Sequence, residues 1–593
     1  MASRKLGVHG KDLPALVPAV AGDAAINTAG MMFLSERGPA SVKEVTSAPE
    51  WARIFGGYVS GFYGKYSAEG FFQNLQGVDG TLFCRRFVAS DATAASATLN
   101  NGDAAPSLKL IAGWKGEEDK GIHGKKVLYT ITHSNRVSDV LVSDAAIGDT
   151  HIHVNAVVDF EIGDYIEIKG GANTETKEIT GKDESEGTIS FTALTKAFTV
   201  VDSTTVKTLN FDLGIYRKND VGVIELKETW QYLSMSKKVS TYVESVLNNK
   251  YRGSEQLIAD DQDAALVALH SNLNPVAVAT PTALSTGGAN GTAPTNSDWN
   301  NLCAEFTTKD IRHLCNPESV AKAVNDFGEN YCKSIGDRIW YSNFTSNQTY
   351  DELLTTAKQY VVSNDSYRMN NAQWLEISNP IGVGEEPTIN VPNVGFIMGH
   401  AIYWITKNGY QRVPAGIQEN IKGVIAVVGD QILDDAKRTK LADAGMNVIQ
   451  FVPGSGICLR NGRMGSTNKA YKWYNQIFMR MYYKTAFVQS FQELENEETG
   501  EALMNKLFNA VRNYLLEDWE GKNTRTGKKC AFLKLQGTKF TDVVKIICDA
   551  SNNTLDDVLA GNVTIHIYFT PPPPAESIEI GVGISLQIKS AAA

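Results

Sequence analysis

The last apolar segment of the chain, residues 578–588, alternates strictly between apolar residues and small or polar ones. Its apolar positions are Ile578, Ile580, Val582, Ile584, Leu586 and Ile588. A period of two predicts a β-strand with one continuous apolar face. Such a strand is not stable alone in water, and an isolated two-stranded hairpin is marginal. It therefore has to complete a sheet, either in its own subunit or in a neighbouring one.

The segment before this strand, residues 540–570, reads as a helix followed by a strand. Four prolines, Pro571, Pro572, Pro573 and Pro574, then separate the two strands. Consecutive prolines favour the extended polyproline II conformation and act as a semi-rigid spacer, which suits a tether that spans a gap. We expect the last strand to pair with the sheet of a neighbouring subunit. In the alternative arrangement, residues 576–588 pair with 561–569 in the core of their own subunit. The two arrangements are compatible with each other.

The length and composition of the chain limit what it can be. A chain of 593 residues is too long for one hydrophobic core, so three or four domains are expected. The net charge of −10 argues against a general attraction to nucleic acid. No apolar run reaches 18 residues and the start lacks a secretory signal, so no membrane insertion is expected. Seven scattered cysteines without a C-x-x-C pair fit reduced, buried thiols in a protein made in a cytoplasm.

Changes of pattern along the first half of the chain predict an inserted module. A strand within residues 120–137 has its natural partners far away, in 209–218 and 221–233. Between them, residues 138–208 consist of short alternating strands separated by Gly-Asp turns, which is typical of a small all-β module inserted in a host domain. Residues 1–26 are rich in Pro, Ala and Val and form either an extended arm or a disordered terminus.

The second half of the chain alternates helix and strand patterns, which indicates an α/β layer. The run VGFIMGHAIYWITKN reads as a buried helix. A helix over residues 500–519 has an apolar stripe along one side. Its other side carries charged residues, and such a face is usually solvated: Glu501, Lys506, Arg512, Glu517 and Asp518.

No pattern of catalytic residues is present in the sequence. The chain has no G-x-S-x-G elbow, no H-E-x-x-H and no Walker A motif, so no catalytic residue, cofactor or metal is predicted. The GGANG run at 287–291 lacks the Lys-Ser/Thr of a phosphate-binding loop, and His151 and His153 lack a third ligand. These features favour a structural or binding protein over an enzyme.

Several segments, taken in their order, resemble the tail sheath proteins of contractile-tailed phages and related contractile injection systems. Where the family has a Trp-Gly-Ala-Arg-Thr run, this chain has LRNGRMGS, with Arg463 in the corresponding place and with its role left open. The segments that carry the resemblance are YGKYSAEGFFQNLQGVDGTLFCRRF, LSTGGANG, VGFIMGHAIYWITKNGYQRVPAG, ADAGMNVIQFVPGSGICLRNGRM and ICDASNNTLDDVLAGNVTIHIYFTPPPPAESIEI.

The resemblance implies a multidomain α+β or α/β fold, with a sheath core domain built from the N- and C-terminal parts of the chain and outer domains inserted between them. In this scheme residues 27–137 and 209–300 form the outer domain around the 138–208 module. Residues 301–570 form the α/β core, and residues 571–593 form the spacer and the C-terminal arm strand.

The resemblance also implies a function. Subunits stack as rings into a helical sheath around a tail tube protein, bounded by baseplate and tail terminator proteins. Contraction of the sheath then drives the tube through the target cell envelope. The protein is expected in the virion tail, after synthesis in the bacterial host cytoplasm, with no nucleic acid as partner. Lys506 and Arg512 are the predicted contacts with the tube. The alternative is another self-assembling virion or surface-lattice protein that does not contract.

Overall fold

A computed structural model describes residues 24–219, 222–262, 274–381, 386–430 and 433–576. Residues 1–23 of the predicted arm at 1–26, and the whole of the predicted strand at 578–588, lie outside these ranges. The strands, in chain order, are β1 Thr28–Phe33, β2 Lys43–Val45, β3 Thr81–Arg86, β4 Thr93–Asn100, β5 Pro106–Trp114, β6 Glu117–Glu118, β7 Val127–Ser134, β8 Ser138–Val140, β9 His151–His153, β10 Tyr165–Gly170, β11 Asn173–Glu178, β12 Gly181–Asp183, β13 Thr188–Ser190, β14 Thr205–Thr208, β15 Asn210–Lys218, β16 Ile224–Leu233, β17 Leu257–Asp261, β18 Val278–Ala283, β19 Thr286–Ala289, β20 His313–Cys315, β21 Ile339–Ser342, β22 Arg368–Asn371, β23 Leu375–Ser378, β24 Thr388–Val391, β25 Ala426–Val427, β26 Met446–Asn447, β27 Ile449–Val452, β28 Gly456–Leu459, β29 Val544–Ile547 and β30 His566–Phe569.

Short 3₁₀ turns lie at Ile122–Lys126, Val157–Asp159 and Gln492–Leu494. The α-helices are α1 Ala48–Phe55, α2 Gly64–Asn74, α3 Val243–Leu247, α4 Asn296–Ala304, α5 Lys322–Ile335, α6 Tyr350–Tyr360, α7 Val394–Asn408, α8 Asp435–Asp443, α9 Tyr474–Phe491, α10 Glu501–Glu520, α11 Phe540–Val543 and α12 Leu555–Leu559.

The chain folds into two compact units, and together they give a mixed α/β, multidomain architecture. Unit 1 combines residues 24–31 and 66–83 with the described residues from 303 onward. Unit 2 consists of residues 32–65 and the described part of 84–302. Segments from both ends of the chain therefore share unit 1, while the middle of the chain forms most of unit 2.

Unit 1 is organised around a parallel sheet in which strands β1, β20, β21, β22 and β26 are neighbours. Strands β20, β21 and β22 are buried along their whole length. Parallel strands need crossover connections, and α5 and α6 supply them between β20 and β21 and between β21 and β22. This arrangement is the α/β layer that the sequence predicts.

Helix α7, predicted as a buried helix, packs closely on α2 through two of its glycines. A Cβ atom at Gly395 would lie 2.2 Å from the backbone oxygen of Ser67, and one at Gly399 would lie 2.2 Å from that of Phe71. No side chain fits such a gap, so glycine at these positions lets the two helix backbones approach. All of the residues of α7 from Val394 to Ile405 are buried, and most of them are apolar.

Unit 2 contains two antiparallel sheets that share one apolar core. One has the order β17-β5-β4-β19 and the other the order β16-β15-β7-β18. Strand β15 pairs with β7 from Asn210 opposite Ser134 to Arg217 opposite Val127, and β16 pairs with the other edge of β15. The long-range pairing expected between residues 120–137, 209–218 and 221–233 is thereby confirmed.

Between β7 and β15 the chain forms two small sheets, β11-β10-β14-β8 and β12-β13-β9. They enclose an apolar core of their own, which includes Ile152, Ile166, Ile168, Ile189 and Phe198. Outside this core, hydrogen bonds such as that from the Ser236 hydroxyl to the Gly163 carbonyl join the segment to the host sheets.

We expect that deleting residues 138–208 leaves the rest of unit 2 folded. Ser134 and Asn210 are directly opposed across the β7–β15 ladder, so a short loop can join the two strands as a hairpin. With a two-glycine linker in place of the segment, far-UV circular dichroism and thermal unfolding should show a cooperative transition within about 5 °C of that of the full chain. Loss of that transition would contradict an independent module.

Candidate assembly surface at the C-terminal end

The described residues give little support for a chemical site. Within the described ranges, no three His, Cys, Asp or Glu side chains come together as metal ligands would. No described helix combines the length and apolar character needed to cross a bilayer. All seven cysteines lie in the described ranges and are free thiols, and six of them are buried, as the sequence predicts.

Strands β29 and β30 form a two-stranded antiparallel ribbon near the end of the described chain. Val544 is opposite Phe569 and Ile547 is opposite His566. The sequence reading of residues 540–547 as part of a helix is wrong beyond the first turn, because α11 ends at Val543 and the β-branched and apolar residues that follow continue as β29. Among the described residues, β30 pairs with β29 alone, so its outer edge presents free backbone groups.

An apolar groove of about 720 Å³ lies beside β30. Its walls come from the end of α9, the start of α10 and the strand side chains that face them. Rings line its floor, because Tyr483 packs 5.1 Å from Phe569 and 6.0 Å from Phe487 between ring centroids. Its apolar lining residues include Phe487, Val488, Phe491, Leu503, Leu507, Ile565, Ile567 and Phe569.

A buried carboxylate fixes the helices that form this groove. Asp518 of α10 has no solvent-exposed surface, and its Oδ2 accepts hydrogen bonds from the hydroxyls of Tyr410 and Tyr483. Its Oδ1 accepts bonds from Asn523 and from Arg525 Nε, the latter at 2.9 Å. Burial raises the pKa of Asp518, and Arg525 is its buried counter-charge. The prediction that Asp518 lies on a solvated face is wrong, because tertiary contacts close over the end of the helix.

The two residues predicted to contact a tube lie on α10. The Lys506 ammonium is 2.7 Å from Glu497, a residue that also lines the groove. Arg512 is exposed on the same helix. Both side chains are therefore at the surface of unit 1.

Residues 570–576 are held against unit 1 at three points. The Thr570 amide donates to the Val543 carbonyl at 2.9 Å. The buried Asn475 side chain donates to the Pro572 carbonyl at 2.9 Å. Arg463 donates from Nε to Glu576 Oε1 at 2.6 Å and from a terminal nitrogen to Oε2. The proline segment therefore runs along the core before the chain reaches residue 577.

The comparisons with known proteins give the fold. No family model matches, and no curated protein matches. A crystal structure of a sheath tail protein from Listeria innocua matches with a TM-score of 0.51 at 10% identity, over 93% of this chain and 96% of that one. The chain has the fold of a sheath tail protein.

Two other solved sheath structures match less well. A sheath tail protein from Desulfitobacterium hafniense gives a TM-score of 0.48 at 10% identity over 92% of this chain and 94% of that one. The sheath of an extracellular contractile injection system, in its contracted state, gives 0.40 at 14% identity over 49% and 75%. Because the Listeria match spans nearly the whole of both chains, the sheath fold includes both units described above.

Proposed function

We propose that this protein is the structural subunit of a contractile tail sheath, and that it polymerises helically around an inner tube and contracts to drive the tube through a target envelope. The observation that supports this proposal best is the sheath fold shared over nearly the full length of a solved sheath tail protein. The role is structural rather than enzymatic. Stacked rings of the same chain are its first partners, with a tail tube protein inside and baseplate and tail terminator proteins at the ends. Its place is a virion tail assembled in a bacterial host.

We propose that the C-terminal strand links neighbouring subunits. The open edge of β30 and the apolar groove beside it form a surface that a strand with one apolar face would fill. Strand addition to a sheet edge supplies backbone hydrogen bonds, and alternate side chains supply the specificity. Residues Ile578 to Ile588 have that alternation. Pairing between subunits would leave each subunit folded while chaining it to the next.

In this proposal the sheath core domain corresponds to unit 1, because segments near both ends of the chain meet there. The middle of the chain, with its inserted β segment, then corresponds to the inserted outer domains of the resemblance. Such a division keeps the assembly contacts on the core domain and leaves the inserted domains free to vary.

Electron microscopy of the purified full chain tests the assembly. We expect hollow helical tubes with a central channel wide enough to hold an inner tube. Flat sheets or closed shells would contradict the sheath proposal and favour a surface-lattice or capsid-like protein, the alternative that the sequence leaves open.

We propose that Lys506 and Arg512 of α10, the first half-buried and the second exposed, contact the tube. Reversing both charges, with Lys506→Glu and Arg512→Glu, should reduce co-assembly with the tube protein by about tenfold or more, because like charges would then face each other across the contact. Co-sedimentation of sheath and tube measures this effect. The matched control is Lys522→Glu, which reverses an exposed charge beyond the end of α10. Equal co-assembly of the double variant and the control would remove the proposed contact.

A further inference from the structure

The last described residue, Glu576, is joined to a residue more than one hundred positions earlier in the chain. The guanidinium of Arg463 binds both carboxylate oxygens of Glu576, the geometry of a bidentate ion pair. Arg463 has 7% of its side-chain surface exposed and Glu576 has 29%. Charge-assisted bidentate pairs of this kind are stronger than neutral hydrogen bonds and fix direction as well as distance.

Arg463 is held in place for this contact by its own surroundings. Its guanidinium lies over the Trp473 ring, 4.8 Å from the ring centroid. Its backbone amide donates to the Asn447 side chain at 2.7 Å, and the same Asn447 donates to its carbonyl at 2.8 Å. A further nitrogen lies 3.2 Å from Asp443, which is mostly exposed. The arginine is therefore oriented before Glu576 binds to it.

We propose that Arg463 holds the root of the C-terminal arm, which is residue 576. The ion pair between Arg463 and Glu576 fixes the point and the direction from which the arm leaves the subunit. The inference rests on the linking role proposed above for residues 578–588. It makes Arg463 a positioning residue, since the arm and not the arginine contacts the neighbouring subunit.

The Arg463–Glu576 pair fixes the chain four residues beyond the contact at Pro572. The Thr570 and Asn475 contacts hold the chain only as far as Pro572. Without the Arg463 pair, the last fixed point would lie four residues earlier, at Pro572, so Glu576 could move by up to about 13 Å from its place, at about 3.3 Å per residue. Loss of a fixed point close to the arm lowers the effective concentration of the arm at its target. Holding the chain at residue 576 therefore directs the arm.

The first test uses the soluble monomer fraction of the full chain and does not depend on assembly. A nitroxide is attached to Ser577→Cys in a Cys530→Ser background, because Cys530 is the one cysteine that is not buried. We expect Arg463→Gln and Glu576→Gln each to raise the ratio of mobile to immobile label about tenfold. The double variant should match the single variants, because both remove the same pair.

The control is Asp443→Asn, which removes the exposed partner of Arg463 and leaves the Glu576 pair. Label mobility in this variant should match that of the parent. If Arg463→Gln does not fold, Glu576→Gln and Arg463→Lys serve instead, since neither empties the site over Trp473. Unchanged mobility in folded Glu576→Gln protein would overturn the proposal.

The second test measures assembly. We expect Glu576→Gln to slow tube formation about tenfold while Asp443→Asn assembles like the parent. Equal assembly by Glu576→Gln and the parent would overturn the directing role. A parent protein that forms no tubes would contradict the proposed function instead, and the label mobility measured on the monomer would still decide whether Arg463 holds the root.

Discussion

A chain that ends at Glu576 should remain a folded monomer and form no sheath. Removal of residues 577–593 takes away the six aliphatic side chains of the alternating segment. Burial of these side chains is worth roughly 10 kcal/mol in total, at about 2 kcal/mol each, and ordering the arm consumes much of that gain. A net contribution of about 4 kcal/mol per contact still corresponds to about a 1000-fold change in association.

The measurement compares tubes by electron microscopy and sedimentation with the thermal unfolding of the monomer. Substitutions within the full chain separate the apolar face from the backbone. Ile580→Asn with Ile584→Asn should behave like the truncation, whereas Ser585→Asn with Gln587→Asn, on the other face of the strand, should assemble normally. Long tubes formed by the truncated chain would show that the arm does not link subunits.

The second large effect is expected at Asp518. Asp518→Asn keeps the size of the side chain but removes the buried counter-charge of the Arg525 guanidinium, leaving the exposed Glu517 as the acid near it, and turns an amide donor toward other donors. Removal of one partner from a buried ion pair costs about 3–5 kcal/mol. The free energy of unfolding of unit 1, measured by urea titration, should fall by that amount.

Glu517→Gln is the matched control for this prediction. Glu517 is the neighbouring acid, lies 3.5 Å from the same arginine and is largely exposed, so its removal should cost less than about 1 kcal/mol. An Asp518→Asn protein as stable as the control would mean that the hydroxyls of Tyr410 and Tyr483 and the Arg525 charge find other partners. The same variant should also loosen the groove, because Tyr483 both binds Asp518 and lines that groove.

Local patterns in the sequence were sufficient to predict an element of structure where a strong periodicity or an unbroken apolar run was present. The sequence predicts α7 correctly because fifteen residues with one charge have to be buried. It also predicts that β7, β15 and β16 belong to one sheet, although more than seventy residues separate β7 from β15. The change of pattern at residues 138–208 shows where the host domain is interrupted, and the two alternating segments on either side of it then belong together.

Sequence patterns gave wrong predictions for one short strand and for one buried charged residue. Strand β29 is four residues long, too short for its pattern to be distinguished from that of the adjoining helical turn, and its pairing with β30 is what defines it. Asp518 has the charge of a surface residue, but the loop at residues 523–531 covers it. A helical pattern records which residues share a face and carries no information about which distant segment will cover the end of the helix.

The predicted C-terminal strand also separates what local sequence patterns predict from what only folding decides. The sequence by itself predicts that residues 578–588 form a strand that needs a sheet, because their alternation produces an apolar face that is unfavourable to expose to water. Only the tertiary structure decided how the chain runs as far as residue 576, with Pro572 bound to Asn475 and Glu576 bound to Arg463. The physical reason is separation along the chain: alternation is a property of adjacent residues, whereas the Arg463–Glu576 pair joins residues that only folding brings together.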